Sequence, residues 1–342
     1  MSLPSLRRMA GASALFVASL TATMTPGIAG ANAASSFTDL VIFGDSLSDT
    51  GNLSLYSGGF YPKAGTTQPY FGGGYSNGPL WTQLLANGLG QPAGAAPSLI
   101  GGGNYAWAGA RTGSGGSPPG LLDQTSLWAA TSTADAGALY VLVGGGNDMR
   151  DARSTAQGTT PLDNAYRDIA AEAAVANLKS SLGVLASKGA KNVLVSNMPD
   201  LGTTPEALAL GLSAASSDAT NRFNALMPSL MNYGASVGLT MSFLDMAGLY
   251  DEVRQDALFN GGAQYGITNV FYPCAGFDGS NGADCDVSLF SDGLHPSART
   301  HQILGQAALH AMGVAPEPQT VALMLAGLAV VGALGRRRAH AA

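Results

Sequence analysis

The stretch Leu40-Val41-Ile42-Phe43-Gly44-Asp45-Ser46-Leu47-Ser48-Asp49-Thr50-Gly51-Asn52 changes character at Gly44, where an unbroken apolar run gives way to Gly, Asp and Ser. A run this short, rich in β-branched and aromatic residues and closed by turn formers, reads as a buried strand rather than a helix. Working outward, comparable runs occur at Leu139 to Val143, Val193 to Ser196 and Leu239 to Leu244. Each follows an interval long enough for a crossover helix. This βαβ rhythm predicts a mostly parallel sheet covered by helices. Helices are expected at Leu80 to Leu89, Asn164 to Lys188, Asp218 to Tyr233 and Ser297 to Met312. In the second, Ile169, Ala173, Ala176 and Leu182 keep approximately helical spacing, with Arg167, Glu172 and Lys179 outside the stripe. Ser54 to Gly78 and Gly101 to Gly120 are rich in Gly, Pro, Ser and Tyr and read as loops over the sheet.

The chain has 342 residues, and its two ends do not read as part of this sheet. Residues 1–33 carry a basic Arg7-Arg8 pair, an apolar run from Met9 to Leu20 and a small-residue Ala31-Asn32-Ala33 site, the pattern of an export signal peptide. At the other end Pro316-Glu317-Pro318 precedes an apolar run, Thr320 to Gly335, stopped by Arg336, Arg337 and Arg338. Those arginines would stay on the cytoplasmic side of a membrane and leave the rest outside. The last segment, 316–342, resembles a PEP-CTERM sorting signal, which implies recognition and cleavage by an exosortase; a C-terminal anchor that is never cleaved is the alternative. Between the ends, 34–315 is enough chain for one α/β domain. Of 16 basic and 22 acidic side chains the ends hold five arginines and Glu317, leaving 11 against 21. That balance argues against nucleic acid as a partner. Cys274 and Cys285 are the only cysteines. In an exported chain they most simply form a disulfide, two buried thiols being the alternative.

In parallel sheets ligands bind beyond the carboxyl ends of the strands, which directs attention to the residues just after each run. Ser46 sits at such a strand-to-helix turn, where its hydroxyl projects and its backbone N–H can help hold a developing oxyanion. On this segment alone, a Gly-Asp-Ser turn capped by Ser46 is an equal reading. A serine nucleophile needs a base. His340 lies in the C-terminal tail, and His301 and His310 fall within the last helix, where a capping or surface role is expected. His295 stands in Asp292-Gly293-Leu294-His295-Pro296, where an aspartate three residues earlier can fold back onto Nδ1 and leave Nε2 free to take a proton. Oxyanion donors are available at Gly109, in Asn104-Tyr105-Ala106-Trp107-Ala108-Gly109-Ala110, and at Asn147, in Gly144-Gly145-Gly146-Asn147-Asp148. No Lys-Ser/Thr follows the glycine run, as a phosphate-binding loop would require. Asp278, Asn281, Asp284 and Asp286 fit no EF-hand register, so no metal or cofactor is expected.

In order and spacing these segments resemble the four blocks of the GDSL, or SGNH, hydrolase family: Gly44 to Asn52, Asn104 to Ala110, Gly145 to Asp148 and Asp292 to His295. The resemblance runs from Thr38 to about Met312. It implies a three-layer, flavodoxin-like α/β/α sandwich. It also implies a triad of Ser46, His295 and Asp292, with Ser46, Gly109 and Asn147 as oxyanion donors. Ala108 departs from the second glycine many members carry, which bears on local loop shape. The family's range covers carboxylesterases, lipases, polysaccharide deacetylases and acyltransferases, so an O-acetyl-polysaccharide esterase or an acyltransferase stands beside a carboxylesterase or lipase. The partner is then a small-molecule, lipid or polysaccharide ester. Tyr56, Phe60, Tyr61, Tyr70, Phe71 and Tyr75, after the serine, could accept an acyl chain, stack on sugar rings or simply pack the loop. A surface-displayed binding protein that kept the fold without activity is the other class, and four intact blocks argue against it.

Overall fold

The structure, a computed structural model, describes residues 37–62, 70–274 and 282–314. The export signal, the Pro-Glu-Pro segment with its apolar run, both expected boundaries of 34–315, and Asp278 and Asn281 lie outside the described residues. Strands β1 (Leu40–Gly44), β2 (Leu139–Val143), β3 (Asn192–Ser196) and β4 (Thr240–Leu244) form a parallel sheet in the order β1-β2-β3-β4. Leu40 stands opposite Leu139, Leu139 opposite Asn192 and Asn192 opposite Thr240. The helices are α1 (Asn52–Tyr56), α2 (Trp81–Gly88), α3 (Leu121–Thr131), α4 (Gly146–Thr155), α5 (Pro161–Lys188), α6 (Pro205–Leu210), α7 (Ser213–Ala225), α8 (Met227–Ser236), α9 (Met246–Phe259) and α10 (Ala298–Ala311).

Side chains alternate across the strands, so each face of the sheet builds its own core. Val41, Phe43, Tyr140, Leu142, Val193 and Val195 pack with Trp128 of α3, Leu178 of α5, Phe223 of α7 and Leu230 of α8. Leu40, Ile42, Leu139, Val141 and Leu194 pack with Leu85 of α2, Val253 of α9 and Leu304 of α10. This is the expected three-layer α/β/α arrangement. Burying one such side chain stabilises the fold by about 1.5–3 kcal/mol. Beyond the free edge of β1 runs an irregular segment rather than a full strand. Ile42 N–H donates to Gly103 O (2.9 Å), Tyr105 N–H to Ile42 O (2.7 Å) and Trp107 N–H to Gly44 O (3.1 Å). The chain therefore leaves β1 first to one side and then, through β2, to the other. That opens a crevice at the carboxyl end of β1, where Ser46 lies.

Two helix expectations need correction. Asp218 to Tyr233 is not one helix: α7 ends at Ala225 and α8 starts at Met227. Pro228 has no N–H to continue the ladder, and the chain restarts around Leu226. In α5 the stripe is misplaced by the spacing reading. Ile169 is 66% exposed and Ala173 and Ala176 face solvent, whereas Arg167, Ala171, Ala174, Val175, Leu178, Leu182 and Leu185 are buried. Alanines on several sides of the helix leave the pattern ambiguous, and the deciding residue is Arg167. Its guanidinium is fully buried because Asp218, Asn164 Oδ1 and the carbonyls of Ala156 and Gly158 take its hydrogen bonds. By composition α5 is apolar enough to cross a membrane, at a mean hydropathy of 1.2, but here it covers the sheet as a core helix.

Candidate active site

The loop after β1 is held from several sides before any catalytic geometry is considered. Gln124 of α3 grips Gly44 through both backbone groups, at 2.9 Å each. The Asp49 carboxylate accepts from the N–H groups of Gly51, Asn52, Leu53 and Ala108, so it caps α1 and ties the glycine block to the serine block. Burial raises its pKa, and those four donors oppose the rise. Asn52 Nδ2 donates to Asn104 O and Ala106 O, and Asn104 Nδ2 donates back to Ser48 O. Asp45, buried beside the serine, is pushed up to about 6 by loss of solvent, against the Leu47 N–H and the charge of His295.

The structure brings the sequence-predicted residues together. His295 Nε2 is 2.9 Å from Ser46 Oγ, and His295 Nδ1 is 2.7 Å from Asp292 Oδ2. Asp292 Oδ1 accepts from the N–H groups of Leu294 and His295, the fold-back expected of the tight turn. Burial would raise the Asp292 carboxyl, but the charge of His295 and these hydrogen bonds outweigh it and hold it at about 2. Gly109 takes φ +83°, a backbone angle open to glycine, and Gly145 takes φ +114° where a Cβ would collide with Phe223. The second of these turns starts α4 and sets Asn147 in its first turn. Asn147 Nδ2 donates to Ala110 O (2.9 Å), which uses one amide proton and leaves the other. The backbone N–H groups of Ser46 and Gly109 have no hydrogen-bond partner among the described residues. Three N–H donors on the loops around Ser46 are therefore without a partner among the described residues, and Ser46 Oγ already meets the His295 imidazole. The arrangement can deprotonate a serine as it attacks a carbonyl and can stabilise the oxyanion that forms.

Other residues that the sequence reading passed over complete the site. Asn147 Oδ1 accepts from Arg150 (3.2 Å), one helical turn on, and Arg150 makes a two-bond pair with Glu206. Burial would raise Glu206, but Arg150 and Arg153 keep it lowered. The Glu206 N–H donates to Gly293 O (2.7 Å), so one residue braces both the base loop and the Asn147 amide. The i, i+3 spacing of Asn147 and Arg150 was available in the sequence; the partner at Glu206 left no local trace. His301 corrects part of its expected role: it is fully buried, and its Nδ1 accepts from Trp81 N–H to cap α2, while burial holds the ring neutral with a pKa near 3. His310 is exposed.

Cys274 and Cys285 are disulfide-bonded, with 4.8 Å between their Cα atoms. Cys274 N–H donates to Phe290 O, and Ser291 N–H donates to His295 O, so the clasp is two hydrogen-bonded steps from the base. Closing the loop is worth about 3 kcal/mol on the chain-entropy account. Reduction, verified by thiol counting, is expected to lower ester turnover; a base displaced by about an ångström would lose up to about a hundredfold. Unchanged turnover in fully reduced protein would refute that link.

The profile described as GDSL-like Lipase/Acylhydrolase matches residues 40–308. The chain belongs to the GDSL-like lipase/acylhydrolase family. Such a protein is a serine hydrolase of ester bonds. A PEP-CTERM protein-sorting motif matches residues 314–338, of which Val314 alone is described. A phosphatidylcholine-sterol acyltransferase of Aeromonas hydrophila is 26% identical over 81% of this chain and 79% of its own length. Esterase EstA of Pseudomonas aeruginosa is 29% identical over 80% of this chain, which spans only 46% of that longer protein. Among solved structures, an extracellular lipase from Streptomyces rimosus aligns over 82% of this chain and all of its own, at 18% identity and a TM-score of 0.41.

Proposed function

We propose that this GDSL hydrolase is an exported carboxylesterase or lipase that works through an acyl-enzyme on Ser46. His295 takes the Ser46 proton as Oγ attacks the ester carbonyl, and Asp292 orients the imidazole and stabilises its charged form. The N–H groups of Ser46 and Gly109 and the free amide proton of Asn147 hold the oxyanion. When the tetrahedral intermediate collapses, His295 returns the proton to the leaving alcohol; a water activated by the same ring then releases the acid. The observation that carries this reading is the unbroken relay from Asp292 through His295 to Ser46, at 2.7 and 2.9 Å, beside unspent donors. Export rests on the N-terminal segment and the PEP-CTERM motif, which also points to processing by an exosortase.

An apolar cavity opens beside Ser46 and is walled by Val143, Met198, Met246, Phe290 and Leu294. It favours an ester whose acyl part is a hydrocarbon chain. Each methylene buried there is worth about 0.8 kcal/mol, so kcat/KM for p-nitrophenyl esters is expected to rise by up to about fourfold per carbon beyond acetate until the cavity fills. Activity confined to acetate and acetylated xylan would favour the O-acetyl-polysaccharide esterase instead, for which the exposed Tyr56, Phe60, Tyr61 and Phe71 offer stacking faces. Acyl transfer is the reading that the name of the Aeromonas relative supports, and added alcohol acceptor in the same assay would reveal it.

A further inference from the structure

Tyr70 belongs to the aromatic loop read from sequence as a substrate contact or as packing, yet its hydroxyl reaches neither of those places. It donates to Asp292 Oδ2 at 3.0 Å, the same oxygen that meets His295 Nδ1 at 2.7 Å. The Tyr75 ring lies on the His295 imidazole, with centroids 4.9 Å apart and planes tilted by 39°, and Tyr70 packs on Tyr75 at 5.3 Å. The segment that carries the two tyrosines is sewn to the base loop by further bonds. Ser76 Oγ donates to Pro296 O (2.9 Å), and Ala298 N–H donates to Asn77 Oδ1 (2.8 Å). Burial and the charge of Asp292 keep the Tyr70 phenol protonated and so a donor at every working pH.

We infer that Tyr70 is a positioning residue for the Asp292–His295 pair, its phenol fixing Asp292 Oδ2 while Tyr75 closes over the imidazole face. The inference rests on the proposed role of the triad. Asp292 Oδ1 is already committed to two backbone N–H groups, so without the phenol Oδ2 would have one donor among the described residues, His295. The phenol therefore does two things. It sets the carboxylate plane that aims Nδ1, and it draws charge from Oδ2. A less charged Oδ2 stabilises the protonated imidazole less, which extends turnover to lower pH. Among the described residues the other charged or titratable groups around the pair are Arg150 and Glu206, which line one pocket with Asp292 and His295, Asp45, with Asp148 behind it, Tyr75, which also faces Asp49 and Tyr61, and His301. A Tyr70→Phe substitution leaves all of them in place and keeps the ring that packs on Tyr75.

In the full chain, Tyr70→Phe is expected to lower kcat about tenfold with KM for a short ester nearly unchanged, and to move the acid limb of kcat/KM up by about half a pH unit or more. The far-downfield proton signal of the His295 Nδ1–H, identified by its loss in Asp292→Asn, is expected to move further downfield because Oδ2 becomes the stronger acceptor. A raised KM with kcat and limb unchanged would make Tyr70 a substrate contact and overturn the inference. A lower kcat with limb and proton signal both fixed would reduce it to packing and overturn it equally. A moved proton signal in protein that turns over no ester would uphold Tyr70 and sink the esterase reading.

Discussion

Ser46→Ala is expected to lower ester turnover by at least about 10⁴-fold while leaving the protein folded. The size follows from what the hydroxyl does: it is the only group within reach of His295 Nε2 among the described residues, so its removal ends covalent catalysis rather than weakening it. Residual turnover would come from Asn147 and the backbone donors polarising a carbonyl toward water. Ser46 is 8% exposed and among the described residues its Oγ is bonded to His295 alone, so little packing is lost and the melting temperature should barely change. A fluorophosphonate probe should label the parent at Ser46 and leave the variant unlabelled. Turnover within about tenfold of the parent would mean that another nucleophile does the work. His295→Ala should resemble Ser46→Ala, and the double variant should be hardly worse than either, because the two act as one unit.

That these two residues could be paired from sequence, 249 positions apart, is a matter of locality. Each sits in a short motif whose geometry is set within a few residues: a strand ending at Gly44, and an Asp-x-x-His turn whose aspartate bonds the backbone just ahead of it. Strands β1 and β2 are legible for the same reason, since burial on both faces leaves apolar runs, whereas β4, at the sheet edge, is buried only at Leu244. What stayed hidden depends on contacts between distant segments. Gln124 holds Gly44 across 80 positions, Glu206 reaches Gly293 from another helix, and Tyr70 reaches Asp292 across 222. None of these leaves a spacing signature. Arg167 shows the converse error: spacing assigned it to solvent by its charge, whereas four partners supplied by α7, the preceding loop and its own helix take it into the core. A charged residue is placed by its partners, and periodicity does not see them.

Asn147→Ala is expected to lower kcat by about 10²–10³-fold with KM changed by no more than a few-fold, the usual cost of one oxyanion donor. The split between the two constants follows from geometry. One amide proton is spent on Ala110 O and the carbonyl end is held by Arg150, so the remaining proton has a fixed direction and needs no reorganisation when charge develops. A donor aimed at the transition-state oxygen gains strength as the carbonyl becomes an oxyanion, and its loss falls on kcat. Asn147→Asp sharpens the test. Its carboxylate is nearly the same size and can still meet Arg150, but it offers no proton to Ala110 O or to the oxyanion and places negative charge beside both. It should therefore be at least as slow as the alanine variant despite better packing. A raised KM with kcat preserved in Asn147→Ala would instead assign the amide to ground-state binding, and the oxyanion would then rest on the Ser46 and Gly109 N–H groups alone.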